Sequence, residues 1–411
     1  MTEPINILHV VGQLNRGGTE LRLLELMQYV DRRKYQFHFC CLSGRSGSLD
    51  EKVRAMGGEV HLIRRGVLGF RRRFWALLRA RRYRAVESHV LYYSGIVLRM
   101  ADQCGVPVRV ALLRSSRDGR RYGPVRTAYH YAMRRLIDRH ATHIAGVSRA
   151  ALTAVWGQSW QTDSRCRIVH DGIDPADFVV TATGESVRRE FAVPAGAPLY
   201  VHVGGIREAK NHPRLLAIFA RLVRRDRSAR LLLIGGGSDA AMQRLRQQVA
   251  QLGIGNGVVF CGERCDVPRL LAAADAMIFP SLWEGLPGAV LEASASGIPV
   301  LAADLPGIRE IAACLPRVRC LSLDADDATW VEAARELSAD AGCSRQAARR
   351  AFAECPFTID QSATQHRRLW QDECPKRVDR SEFTTDRCAG ASSRVRQRVA
   401  CGQLRGDAVD G

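Results

Sequence analysis

The segment Ala276-Met277-Ile278-Phe279-Pro280, followed after two residues by Trp283-Glu284-Gly285-Leu286-Pro287-Gly288-Ala289-Val290-Leu291-Glu292-Ala293, reads as a strand, a loop and a helix. Pro280 closes the apolar run, and Gly297 with Pro299 just beyond it ends the helix. Loops leaving the carboxyl ends of parallel strands are where open α/β sheets bind ligands, so Glu284 and Glu292 are expected to face one crevice. Ionised carboxylates there accept hydrogen bonds from sugar or ribose hydroxyls, each offering about four lone-pair sites. The spacing fits equally well two solvated glutamates near a helix start, favoured by the helix dipole.

The same rhythm extends in both directions. Before the motif, strands are expected at Leu199 to Val203, Leu231 to Ile234 and Val258 to Cys261, alternating with helices at Pro213 to Val223, Ala240 to Leu252 and Val267 to Ala273. A run of turn formers, Gly172, Pro175, Gly184, Pro194, Gly196 and Pro198, separates this half from an earlier one. There, strands are expected at Ile5 to Val11, Tyr35 to Leu42, Val60 to Ile63, Val86 to Val90, Val108 to Leu113, Thr142 to Val147 and Arg167 to His170. The first helix, Thr19 to Tyr29, carries Leu21, Leu24 and Met27 at helical spacing, with Val30 just beyond. Alternation of this kind predicts an α/β fold of two doubly wound, Rossmann-like domains. The expected units are residues 1–178, residues 179–358, a C-terminal helix at 359–374 that crosses back to the first domain, and a disordered tail at 375–411.

A chain of 411 residues with 46% hydrophobic and 25% charged residues is an ordinary globular composition. Its net charge of +19 is not ordinary, and arginine supplies nearly all the basic residues, lysine occurring only at Lys34, Lys52, Lys210 and Lys376. The excess implies attraction to an anionic partner, unless it mirrors genomic base composition. The 13 cysteines show neither zinc spacing nor a redox CxxC, consistent with free thiols in a reducing cytoplasm. The N-terminus does not read as a signal peptide, and no apolar run is long enough to span a bilayer.

Taken in order, several short segments resemble glycosyltransferase family 4, the retaining family with the GT-B fold of two Rossmann-like domains facing a central cleft. They are Ile7-Leu8-His9-Val10-Val11 leading to Gly17-Gly18-Thr19-Glu20, then Gly146-Val147-Ser148, His170-Asp171-Gly172-Ile173-Asp174, Val203-Gly204 through Lys210-Asn211-His212, Leu233-Ile234-Gly235-Gly236-Gly237, Val259-Phe260-Cys261-Gly262, Ala274-Asp275 and the glutamate motif. The resemblance runs from about Ile5 to Trp370. It implies a nucleotide-diphosphate sugar as co-substrate, no cofactor and no metal. Carried over residue by residue, it gives Glu292 the ribose hydroxyls, Glu284 the transferred sugar, and Lys210 the diphosphate. Gly204, Arg207, Gly285 and Leu286 complete the donor side; Gly17, Gly18, Arg114 and Ser115 fall to the acceptor or phosphate side. Retention without a protein nucleophile implies front-face displacement through an oxocarbenium-like transition state, with Lys210 and Glu284 as the catalytic pair. Hydrolysis by two opposed carboxylates is the competing chemistry, and a single loop and helix do not readily supply it.

Three departures stand out. Gly205 occupies a place where the family often has Arg, leaving Arg207 as the nearest guanidinium. Asp171 stands where Asn is usual. No His follows the strand near Val110, where the chain reads Val110-Ala111-Leu112-Leu113-Arg114-Ser115-Ser116, although His89 and His130 lie in the same domain. A glycan or lipid-linked acceptor is expected. The basic segment 64–84, with Phe70, Phe74, Trp75, Leu77 and Leu78 among its arginines, reads either as a helix lying on an anionic membrane or as a core-packing helix with a charged outer face. Peripheral attachment at the inner face of the plasma membrane follows from the first reading, and nucleic acid is the less favoured partner. A catalytically weakened scaffold that binds membrane or nucleic acid is the alternative function.

Overall fold

The computed structural model describes residues 3–66, 68–116, 123–179, 184–340 and 345–372. Its first sheet contains β1 (Ile5–Val11), β2 (Tyr35–Cys41), β3 (Glu59–Leu62), β4 (Tyr83–Ser88), β5 (Val108–Leu113), β6 (His143–Gly146) and β7 (Cys166–Ile168) in the order 3-2-1-4-5-6-7. The second contains β8 (Leu199–Val203), β9 (Arg230–Ile234), β10 (Val258–Gly262), β11 (Ala276–Phe279), β12 (Val300–Ala303) and β13 (Val318–Leu321) in the order 10-9-8-11-12-13. Every paired strand is parallel. Each sheet therefore reverses strand order beside its first strand, at β1/β4 and at β8/β11, and the loops at such a switch point form a crevice.

The central strands are almost wholly buried, because helices cover both faces, and the outer strands β3, β7, β10 and β13 are partly exposed. Leu8, Val10 and Cys40 point into one layer, and Ile7, Val11 and Cys41 into the opposite one. Cys40 and Cys41 thus serve as small core residues on opposite faces, and burial pushes the Cys41 thiol up to about 12.

The basic segment packs its apolar face on the core and turns its arginines outward. Helix Phe70–Ala80 buries Phe70, Phe74, Leu77 and Leu78 against the first sheet, so these side chains are not available to a bilayer. Arg71, Arg72, Arg73 and Arg79 remain outside, and the Trp75 indole lies under the guanidinium groups of Arg71 and Arg79 at 4.9 and 5.9 Å.

The C-terminal helix, Ile359–Gln371, packs on the first sheet's domain. Trp370 Nε1 donates to Glu87 Oε2 at 2.9 Å, and Arg84 Nε donates to the Trp370 carbonyl at 3.1 Å. Burial alone would raise Glu87, but the contact with His366, whose Nδ1 lies 3.3 Å from Glu87 Oε2, outweighs burial and holds the carboxyl well below its usual range. The tail expected at 375–411 lies outside the described residues. Among the described residues no helix is long and apolar enough to cross a membrane.

Candidate active site

The loop after β8 carries Lys210 and the loop after β11 carries Glu284, and backbone bonds stitch the two loops together. Asn211, in the left-handed region at φ 51°, donates from Nδ2 to the Pro280 carbonyl at 3.0 Å, and the Leu282 amide donates to the Ala209 carbonyl at 2.8 Å. Held in this way, Lys210 Nζ lies 2.7 Å from Glu284 Oε1 and 4.6 Å from the centre of the Phe279 ring. The stem of Lys210 crosses Gly204 closely: a Cβ there would sit 3.1 Å from Lys210 Cε. The family glycine at this place therefore makes room for the lysine.

Gly285 is enclosed from three sides. A Cβ on it would lie 2.3 Å from the Arg114 carbonyl oxygen, its own carbonyl accepts from Ser148 Oγ at 2.9 Å, and a Cβ on Gly307 would meet that carbonyl at 1.8 Å. Because Arg114 and Ser148 follow strands of the first sheet, the glutamate loop docks directly on the other domain. Glu310 reinforces this contact by accepting from the Arg149 and Ala150 amides at 3.0 and 2.8 Å, at the start of helix Arg149–Trp156. Leu286 is buried in the same core.

Glu292 faces the cleft from helix Gly288–Ala295, and its partner was not foreseen. Arg22, on helix Gly18–Tyr29, donates to Glu292 Oε1 at 2.8 Å, contacts Glu25 Oε2 at 2.6 Å and reaches the Gly172 carbonyl at 3.4 Å. Helical spacing put Leu21 on the buried stripe; Leu21 is only half-buried, and Arg22 is buried with Leu23 and Leu24. Burial pushes Glu25 up to about 8 and raises Glu292, while Arg22 opposes both shifts. Arg22 thus serves two carboxylates at once, Glu25 on its own helix and Glu292 on helix Gly288–Ala295.

Gly17 and Gly18 open that helix without positive φ, so the turn itself does not demand glycine. Nothing lies within 4 Å of a Cβ on Gly18, whereas one on Gly17 would meet Glu20 Oε2 at 2.6 Å. Glu20 folds back over the helix start, and burial raises its carboxyl against the opposing charges of Arg114 and Arg207. Arg207 Nε comes within 3.6 Å of where a Gly205 Cβ would be.

The two remaining departures prove to be partners. Arg114 Nη1 donates to Asp171 Oδ1, both side chains being nearly buried, and Arg114 Nε donates to His89 Nδ1 at 3.1 Å. Burial, then the Arg114 charge, lowers His89 well below its usual value, so the ring is neutral; accepting at Nδ1, it offers its Nε2 proton to His9 Nδ1 at 3.2 Å. His130 stacks on Tyr92 instead of entering the cleft, with ring centres 3.9 Å apart. Ser115 sits beside Arg114 at the end of the same loop and is half-buried.

Residues 17–172 match the glycosyl transferase 4-like domain, and residues 197–340 match the glycosyl transferases group 1 domain. The chain belongs to the group 1 glycosyltransferases. EpsF of Bacillus subtilis (strain 168), named as a glycosyltransferase, is 27% identical to this enzyme over 364 residues, covering 87% of this chain and 94% of EpsF. CapH of Staphylococcus aureus, named as a capsular polysaccharide biosynthesis glycosyltransferase, is 24% identical over 303 residues, or 73% of this chain and 82% of CapH. In fold, the transferase resembles HepE of Anabaena, solved in complex with UDP, with a TM-score of 0.73 at 18% identity over 89% of this chain and 98% of that one. The two-domain Rossmann-like fold and the glycosyltransferase activity expected from the ordered motifs are thereby shown.

Proposed function

We propose that the transferase moves a sugar from a nucleotide-diphosphate sugar to a hydroxyl of a glycan or lipid-linked acceptor, with retention and without a metal. The observation that carries this reading is the pair of cation–carboxylate contacts, Lys210 with Glu284 and Arg22 with Glu292, opening on one cleft between the switch points of the two sheets. Lys210 would stabilise the departing diphosphate, and Glu284 would both aim the lysine and hold a sugar hydroxyl. Glu292 would accept from the ribose hydroxyls. The acceptor oxygen bonds to the anomeric carbon as the bond from that carbon to the phosphate oxygen breaks, and the hydroxyl proton passes to the departing phosphate. Fixed charges aimed at that developing anion act without reorganisation, a term usually worth orders of magnitude in rate.

The test is thermal melting against a panel of nucleoside diphosphates and their sugars, followed by determination of the product's anomeric configuration. A rise in melting temperature for one base, and an α product from an α-linked donor, are expected. The reading fails if no nucleotide shifts the melting curve, or if the configuration inverts.

Polysaccharide assembly is the favoured setting, since CapH is named for capsular polysaccharide and HepE was solved with UDP-glucose. We further assign the enzyme to the cytoplasmic membrane surface. A shallow groove lined by Gly69, Arg71, Arg72, Trp75, Ala76 and Arg79 supports this, together with the fully exposed Leu68 and the absence of any acidic residue in segment 64–84. Cosedimentation with phosphatidylglycerol-containing vesicles is expected, and it should weaken with salt. Each arginine near such a surface contributes about 1 kcal/mol. Replacing Arg71, Arg72 and Arg73 together by Gln should therefore lower the partition coefficient by about two orders of magnitude; equal binding by the triple variant would refute the assignment.

A further inference from the structure

Away from the cleft, three metal-ligating side chains converge where β2 meets β3. The cluster lies at the β3 edge of the first sheet, whereas Lys210 and Glu284 follow β8 and β11 of the second. His38 is paired in register with Glu59, and His61 lies two residues beyond Glu59, so all three project from the same face. Glu59 Oε2 is 3.6 Å from His38 Nδ1 and 3.7 Å from His61 Nε2, and the three residues offer ligand atoms within 4.8 Å of one another.

Hydrogen bonding settles the form of the buried imidazole. Asn6 donates from Nδ2 to the Arg82 carbonyl at 3.4 Å, which turns its Oδ1 towards His38 Nε2 at 3.1 Å. Nε2 of His38 therefore carries the proton, and Nδ1 presents a lone pair to the carboxylate. His38 is fully buried, and neither its Nδ1 nor His61 Nε2 has a hydrogen-bond partner among the described residues. Two nitrogens and an anionic oxygen held at this separation repel one another unless a cation lies between them.

We propose that His38 Nδ1, His61 Nε2 and Glu59 Oε2 bind one divalent transition-metal ion, zinc being the best match to two imidazoles and a carboxylate. Tetrahedral zinc, with bonds of about 2.0–2.1 Å, sets its ligand atoms about 3.3 Å apart, a few tenths of an ångström inside the two separations from Glu59 Oε2 to the histidine nitrogens. Outer contacts are already built: Asn6 orients His38, and Arg81 Nη2 holds the other oxygen, Glu59 Oε1, at 2.7 Å. Glu59 and His61 are partly exposed, which gives an ion a route in and leaves a fourth position to water. Such an ion would fasten the edge strand β3 to β2 beneath the end of helix Phe70–Ala80. It takes no part in glycosyl transfer, and the inference stands apart from the donor-site reading.

The test is titration of the chelator-stripped full chain with Co2+, then displacement by Zn2+. One Co2+ per chain is expected, with tetrahedral d–d absorption and no thiolate charge-transfer band, and Zn2+ should raise the melting temperature. Glu59→Gln and His61→Ala, both at partly exposed positions, should abolish binding while keeping the far-ultraviolet circular dichroism of the parent. Asn6→Ala should weaken binding by about 10–100-fold, as losses of outer contacts do. Absence of stoichiometric binding, a thiolate band indicating cysteine ligands, or unchanged affinity in both ligand variants would each overturn the proposal.

Discussion

Lys210→Ala is expected to lower kcat by about two to three orders of magnitude, the usual cost of removing one preorganised group that stabilises developing charge. The lysine is held by its loop before any donor arrives, through Asn211 and the Leu282 amide, so its charge needs little reorganisation when the diphosphate departs. Its removal also strands Glu284, whose side chain is only 14% exposed, beside an empty volume above Gly204. Steady-state assay of nucleotide release checks the prediction, and the melting temperature serves as a control for folding. A kcat within a few-fold of the parent's would remove Lys210 from the catalytic step.

The second large effect concerns Arg114 and Asp171. Breaking a buried ion pair from one side costs about 3–5 kcal/mol, because the remaining charge stays buried without its partner. Asp171→Asn and Arg114→His should therefore each lower the melting temperature markedly. The double variant, which places the family's usual Asn at 171 and a His at the end of β5, removes both charges together. It should recover much of the loss, so that the two effects are far from additive. Simple additivity would mean that the two departures from the family pattern are unrelated. Arg114, at the position after β5 where the family often has a histidine, is held by Asp171 on one side and by His89 on the other.

How much of this could be read in advance depends on the range of each interaction. β1, β5, β8 and β11 have the bounds that their apolar runs imply, since buried parallel strands carry little polar residue to obscure them. β4 was legible only in part. Its first residues include Arg84, which looks like a surface residue until the C-terminal helix arrives to accept from it, 286 positions away. Lys210, Glu284 and Glu292 were marked by short motifs, and the structure brings all three to one cleft. Arg22 was not marked. Three residues before Glu25 on a helix, it reads as half of an ordinary solvated pair. Its true partner, Glu292, lies 270 residues on, in the other domain. Arg114 and Asp171 were each recognised as departures, and their opposite charges were the signal that they belong together. Gly17 and Gly18 match the motif, but neither has the positive φ that would demand glycine; Gly18 borders open space, and Gly17 is crowded by Glu20.

Binding of the donor nucleotide by the second domain through Glu292, supported by Arg22, can be measured by calorimetric titration of the parent and of Glu292→Ala with the nucleoside diphosphate that stabilises the parent best. Saturable binding to the parent is expected. Two lost hydroxyl bonds to a charged acceptor, at about 1.5–3 kcal/mol each, should weaken the variant by at least two orders of magnitude. Equal affinity in the two proteins would contradict the assignment and move the nucleotide away from the glutamate motif.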